Sequence, residues 1–433
     1  MPAMSSTLTT IRRFHRDARL FLVTTFVAGA ALSLYWIDFN LYLASLGLSP
    51  ASIGVVATIS SIAGAVMAFP ASAASDRFGR RAIIGTGTAL ALVAVVGLIT
   101  TTSLPLIVVY AALWSAGQQA GSVVGAPFMT EHSDPEHRNE LFAVQFALQN
   151  VTNTVAAVLG GVVAVVLAAT IGLEPDGPGT YRIILVIMAV LLALALGTVG
   201  LLGDDRPRSM YRARMRGVGE PATFPRDPRR SRFLSGLVVR DRQGFVRLLV
   251  PGLLISIGAG QVIPFLNLFV QARFGLDLAS LNAVFAFTSL GTVLAILAQP
   301  RLARRFGQIT SVVIVQGLSI PFLVVLGFSP ILWTVILAIA VRNSLMNAGN
   351  PIFTAFAMER VSPAERATLA AAMSVLWQGG WVIGGIWFAV LQANLGFAAG
   401  YTVNFVTIIV LYSIATALYW IWFRPGDRGR PSG

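Results

Sequence analysis

Twelve stretches of this chain are apolar and almost free of charge, each long enough for a helix to cross a lipid bilayer. They are residues 20–46, 51–71, 82–101, 105–129, 141–171, 181–203, 246–271, 278–299, 309–328, 331–357, 368–391 and 398–423. Over 433 residues this is one span every 36, which suits a helix of about 20–25 residues and a short connection. The composition excludes a water-soluble alternative. Hydrophobic residues make up 56% and charged residues 11%, against about 25% charged in soluble domains, and the mean hydropathy is +0.76. Strands of a membrane barrel would alternate apolar and polar residues, and these spans do not. In lipid the backbone must satisfy itself, so the spans are expected to be helices. The fold class expected is an all-α membrane protein of twelve transmembrane helices.

The net charge of +13 reflects orientation in the membrane and not a nucleic-acid partner. All 31 basic residues are arginine. With the N-terminus in the cytoplasm, 28 of them fall on inward-facing segments, two (Arg182 and Arg273) face outward, and Arg342 lies inside a span. This is a strong positive-inside signal, and it puts both termini in the cytoplasm of a multi-pass cytoplasmic-membrane protein. Arg12, Arg13, Arg16 and Arg19 lead directly into the first span, as in a retained helix and not a cleaved signal. With no cysteine, disulfides and thiol chemistry are excluded.

The sequence repeats at an offset of 228 residues. Gly47 to Ile53 falls on Gly275 to Leu281, Arg77-Phe78-Gly79 on Arg305-Phe306-Gly307, and Glu131, Pro135 and Arg138 on Glu359, Pro363 and Arg366. Three matches without a gap argue for two six-helix bundles, the internal duplication of carriers with a midplane site. The organisation expected is an N-terminal bundle over 1–203, a basic cytoplasmic linker over 204–245, and a C-terminal bundle over 246–433. The linker's arginines and prolines suit a segment lying on anionic headgroups.

Ser75-Asp76-Arg77-Phe78-Gly79-Arg80-Arg81 is read as the connection between the second and third spans. Gly79 permits a tight turn, and Asp76 can approach a positive helix N-terminus. The arginines can reach Glu131, while Arg304 and Arg305 can reach Glu359 in the second copy. Such pairs can latch a conformation. At these residues the chain resembles the major facilitator superfamily of secondary transporters, in a bacterial-type form. The family's signature here is roughly Gly-x-x-x-Asp-Arg-x-Gly-Arg-Arg, matched by Asp76, Arg77, Gly79, Arg80 and Arg81, with Ser72 at the leading glycine. The second copy has Arg304 where the acid would stand. The resemblance implies alternating access by rocking of two halves. The Gly-Pro ending found on the fifth helix of many drug:proton antiporters in this superfamily is absent.

Few ionisable residues lie deep in the spans, and a charge at bilayer depth costs about 2.5–3.5 kcal/mol or more. Asp38 and Arg342 both fall about 14–17 Å from the outer interface, so the two can meet across a central cavity, with Arg342 either pairing with Asp38 or binding an anionic group of the solute. Tyr35, Asp38, Tyr42 and Ser45 share one helix face, as do Asn343, Asn347, Asn350 and Thr354. The 228-residue offset places Ser115, Gln119 and Ser122 in the register of Asn343, Asn347 and Asn350. Two matching polar stripes beside an acid and a base suggest a cavity lining, although polar residues also join helices to one another. Trp36, Gln118, Gln149, Gln261 and Asn267 are further candidates for solute binding, with Trp377, Gln378 and Trp381. The seventh span, with Pro251, Gly252, Gly258, Gly260 and Pro264, reads as an interrupted gate helix.

No Walker sequence, Gly-x-Ser-x-Gly or pair of membrane carboxylates is present, so enzyme chemistry and cofactors are not expected. The function expected is secondary transport of a small organic or amphipathic solute by a monomer in the bilayer, driven by protons through Asp38. The alternatives are an uncoupled facilitator or lipid/drug exporter of the same fold, and, further off, a membrane sensor without transport.

Overall fold

A computed structural model describes residues 14–132, 138–174, 176–203, 241–288, 305–361 and 365–423. Within them the chain forms helices and no strand. In order they are α1 (Arg16–Ser45), α2 (Pro50–Phe78), α3 (Arg80–Thr100), α4 (Leu104–Glu131), α5 (Arg138–Thr170) and α6 (Pro178–Gly200), then α7 (Arg242–Phe274), α8 (Leu278–Thr288), α9 (Gln308–Phe328) and α10 (Leu332–Glu359). The last helical run, Arg366–Trp422, is broken by Gly396 into α11 (366–395) and α12 (397–422). Counting the run through α11 and α12 as one, eight described helices are long and apolar enough to cross a membrane. Most of the linker, residues 204–240, and Arg304 lie outside the described residues.

Several helices outrun their apolar spans. α2 continues to Phe78, so Ser75 to Phe78 are its last turn and not a loop. Gly79 alone separates α2 from α3, and Arg80 and Arg81 open α3. A helix needs no apolar side chain to continue into the headgroup region, which is why hydropathy placed its end too early. α7 is interrupted at one place, a 3-10 turn at Ile263–Phe265 that contains Pro264. Pro251 sits within continuous helix.

The repeat is visible in the backbone. Gly47 and Gly275 have φ of 81° and 64°. Gly79 and Gly307 have φ, ψ of 93°, 157° and 80°, 163°. That corner is essentially closed to residues with a Cβ. The third positive-φ pair, Gly172 and Gly396, is separated by 224 residues, so the copies lose register beyond their first four helices.

The chain divides into two compact units, Met1–Tyr42 with Ile59–Phe233, and Leu43–Thr58 with Leu234–Gly433. Residues 43–58 join the second unit, where Gly54 lies against Phe388 and Ala389. In the first unit Phe14, Phe21, Leu22, Ile84, Val124, Phe128, Met129, Val199 and Leu202 form a core near the first turns of α1 and α3 and the last turns of α4 and α6. α3 and α4 touch through backbone. A Cβ on Gly117 would stand 2.4 Å from the Gly87 carbonyl oxygen. Without a hydrophobic drive between helices in lipid, small residues that admit close approach supply the packing. Thr24 and Thr198 share a 2.8 Å hydrogen bond between α1 and α6, and Ser33 donates to the Asn153 carbonyl on α5 at 3.1 Å. In the second unit α7 meets α11 in the same way. Gly380 lies against Ser256, Gly260 against the Trp381 backbone, and Gly384 against the backbone of residues 257–261. The Tyr401 hydroxyl donates to the Phe265 carbonyl at 3.1 Å, at the turn in α7, and Phe265 stacks on Phe388 at 3.7 Å.

Candidate functional site

In the first unit, the turn between α2 and α3 is held by Arg80. Its guanidinium pairs with Glu131, the last residue of α4, at 3.3 Å, and also donates to the Ser75 hydroxyl. Ser75 in turn donates to the Ser72 carbonyl at 2.7 Å. Ser72, at the family's glycine position, therefore sits in an ordinary helical turn. Arg81 donates to the Gly200 carbonyl at 2.6 Å and so caps α6. Arg77 lies over the Phe78 ring at 5.3 Å. Asp76 belongs to the last turn of α2, and its side chain lies outside the described set.

The second unit reproduces this geometry with different chemistry. Arg305 lies over Phe306 at 5.3 Å, the same contact that Arg77 makes. Glu359 is met by Gln308, whose amide donates at 3.0 Å. The expectation that Arg305 reaches Glu359 is thus corrected, because Arg305 is turned onto the neighbouring ring. Gln308 is the residue that the 228-residue offset pairs with Arg80, and this was the unused signal.

Asp38 is buried, with 3% exposure, on α1. Tyr35 stacks between Phe39 (4.3 Å) and Trp114 (4.5 Å). The hydroxyl of the buried Tyr42 donates to the Leu98 carbonyl at 3.0 Å, which fastens α1 to α3. Gln118, Gln119 and Gln149 are half-buried, whereas Trp36 and Ser122 are exposed. The Gln118 amide nitrogen is buried and has no hydrogen-bond partner among the described residues.

In the second unit Arg342 is buried on α10. It donates to the Asn343 side-chain oxygen at 3.0 Å and to the Tyr412 hydroxyl at 2.8 Å. Asn347 donates to the Asn343 carbonyl at 2.9 Å, and the Thr354 hydroxyl to the Asn350 carbonyl at 2.9 Å. Asn347, Asn350 and Thr354 are exposed. Gln261 is fully buried, and both its amide atoms lack a partner among the described residues. Asn267, also buried, accepts from the Leu268 backbone N–H at 2.9 Å. The rings of Trp377 and Trp381 lie 6.3 Å apart on α11, Gln378 between them is half-buried, and the Trp377 carbonyl accepts from Ser256 of α7.

Sequence reasoning missed Tyr412, the partner of Arg342. A lone tyrosine in an apolar helix, 70 residues away, carries no local signal. It also missed Gln392 and Asn404, whose buried amide atoms have no partner among the described residues. Spacing within α11 and α12 contains nothing to mark them.

Residues 21–385 match the sequence family described as the Major Facilitator Superfamily. No curated protein matches the chain in sequence. Solved structures do. The nucleoside transporter NupG is similar with a TM-score of 0.74 at 12% identity, over 94% of this chain and 99% of that one. A bacterial homolog of the human lysosomal transporter Spinster, inward-facing and occupied, gives 0.71 at 16% identity, over 96% and 98%. A D-xylose-proton symporter gives 0.69 at 14% identity, over 99% of each chain.

Proposed function

Since the chain belongs to the Major Facilitator Superfamily, whose members similar to it in fold are transporters and not enzymes, we propose that it carries a small organic solute across the cytoplasmic membrane by alternating access, with protons coupled through Asp38. The observation that carries the coupling is Asp38 itself, an acid with 3% exposure on a membrane helix. A carboxylate exists charged or neutral, and uptake of a proton lowers the cost of closing a protein around it. That makes Asp38 a switch between an open, hydrated state and a closed one. Arg342, Asn343, Asn347 and Asn350 on α10, with Gln261, Trp377 and Trp381, are the solute-binding surface of the second unit. Tyr35, Gln118 and Gln119 serve the same purpose in the first. The arginine distribution supports cytoplasmic termini. The turns at Gly79 and Gly307, tied to Glu131 and Glu359, act as the conformational latches.

Purified protein in liposomes tests the coupling. Asp38→Asn is expected to abolish accumulation driven by a proton gradient while leaving solute exchange at equal pH. Gradient-driven accumulation at the parent level in the variant would reject proton coupling at Asp38 and leave an uncoupled facilitator.

A further inference from the structure

Arg342 carries a positive charge that its own unit does not balance. Its relative exposure is 5%. Of its five N–H donors, two hydrogen-bond interactions are accounted for, both to neutral acceptors, Asn343 at 3.0 Å and Tyr412 at 2.8 Å. Its Nε has no partner among the described residues. The guanidinium lies 5.7 Å from the Tyr412 ring centroid.

A guanidinium cannot leave the charged state by losing a proton. The acids of residues 246–433 are Asp277, Glu359, Glu365 and Asp427, and the described ones are all at helix ends. Asp277 caps the start of α8 by accepting from Ser280 N–H at 3.1 Å. Glu359 ends α10 and is met by Gln308. Glu365 precedes α11. No ion pair joins Arg342 to a described residue of its own unit. A buried charge without a counter-ion is costly, and in a membrane protein it marks a ligand's charge or an ion path.

A route reaches it. Asn347, Asn350 and Thr354 are exposed along the inner half of α10, and Asn343, half-buried one turn outward of Asn347, touches Arg342. The polar track thus runs from the inner end of α10 to the guanidinium. The stoichiometry is one fixed positive charge among neutral amides and a phenol, which balances one negative charge and leaves a second unmatched.

We propose that Arg342, positioned by Asn343 and Tyr412, is the binding site for a single oxyanion group, so that the carried solute is a monoanion bearing a carboxylate or a phosphodiester. The planar fork of the guanidinium takes two oxygens of such a group side by side. This rests on the transporter reading above and names the solute class for it.

The test uses the full-length protein in detergent, with thermal unfolding as the readout. The probes are acetate, lactate and benzoate; acetamide, lactamide and benzamide as neutral matches; phthalate as a dianion; and short-chain phosphatidylglycerol against phosphatidylcholine as the lipid source. A monoanion is expected to raise the melting temperature where its neutral match and the dianion do not. Its half-maximal concentration is expected to rise at least tenfold in Arg342→Gln. Stabilisation by carboxylates assigns a soluble solute, and stabilisation by phosphatidylglycerol alone assigns a lipid. Without ligand, Arg342→Gln is expected to melt at or above the parent, because an unbalanced charge has been removed. Three results overturn the inference: a lower melting temperature for unliganded Arg342→Gln, stabilisation by monoanions that is unchanged in that variant, or no advantage of any monoanion over its neutral match. A neutral solute that stabilises and is carried, with no monoanion effect, overturns the inference and leaves the transporter reading standing. Absence of flux for every solute tested in liposomes is the result that removes the transporter reading itself.

Discussion

Gly307→Ala isolates the backbone's part in the turns at Gly79 and Gly307. A Cβ added at Gly307 meets nothing within 4 Å, so the substitution has no steric cost from neighbours. What remains is the conformation, φ 80° and ψ 163°, which costs a residue with a side chain about 1–3 kcal/mol. At roughly 2–4 °C per kcal/mol for a cooperative unit of about 150–250 residues, the melting temperature should fall by about 2–12 °C. The side-chain tie beside it is weaker. The Gln308–Glu359 hydrogen bond is at the surface, and Gln308→Ala should cost under about 1 kcal/mol. The first unit supplies a charged control. The Arg80–Glu131 side chains are 13% and 28% exposed, so Arg80→Gln should cost no more than about 1 kcal/mol. The ranking expected is therefore Gly307→Ala and Gly79→Ala above Arg80→Gln above Gln308→Ala. It is read from tryptophan fluorescence during thermal unfolding in detergent, with the eight tryptophans as probes. If Gly307→Ala melts with the parent while either side-chain variant falls further, the turns are held by their polar ties and the backbone argument fails.

Three further substitutions separate packing from linkage. Gly117→Ala would put a methyl group 2.4 Å from the Gly87 oxygen and 3.0 Å from the Ala91 nitrogen, which should destabilise by about 1–3 kcal/mol. Gly121→Ala on the same helix has open space around it and should be neutral or slightly stabilising. Equal denaturation midpoints for the two would contradict the close α3–α4 crossing. Tyr42→Phe removes the donor to the Leu98 carbonyl and should lower stability by about 1 kcal/mol. An unchanged melting temperature would show that this hydroxyl does not fasten α1 to α3.

The helical architecture was legible because hydropathy reports directly on lipid. The duplication was legible because its first four helices repeat without a gap, down to the backbone of Gly79 and Gly307. The reading stopped where three-dimensional neighbours take over. The sequence sent Arg305 to Glu359 on charge alone, but stacking on Phe306 is available next door and an amide at residue 308 already serves the acid. Arg342 was visible as a charge in a span, while its partner Tyr412 was not, because contact between α10 and α12 leaves no periodic trace. Tyr42, which shares a helix face with Asp38, proves to be spent on the Leu98 carbonyl. A polar stripe thus marks a face without saying whether each member meets solvent or backbone.

The 3-10 turn at Ile263–Phe265 also sets an azimuth. An α-helix advances by about 100° per residue and a 3-10 helix by about 120°. Over the six steps from Gln261 to Asn267 a straight α-helix would leave the two side chains about 120° apart. Three residues at the tighter pitch add about 60° and bring them to within roughly 60° of one another. On such ideal pitches the two buried amides, at 0% and 3% exposure, would face the same sector of α7. The Tyr401 hydroxyl donates to the Phe265 carbonyl at that turn, so a change of pitch there would have to break this hydrogen bond. Rewinding the turn to regular helix would swing the outer segment of α7, Asn267 included, through about one sixth of a revolution without moving Gln261.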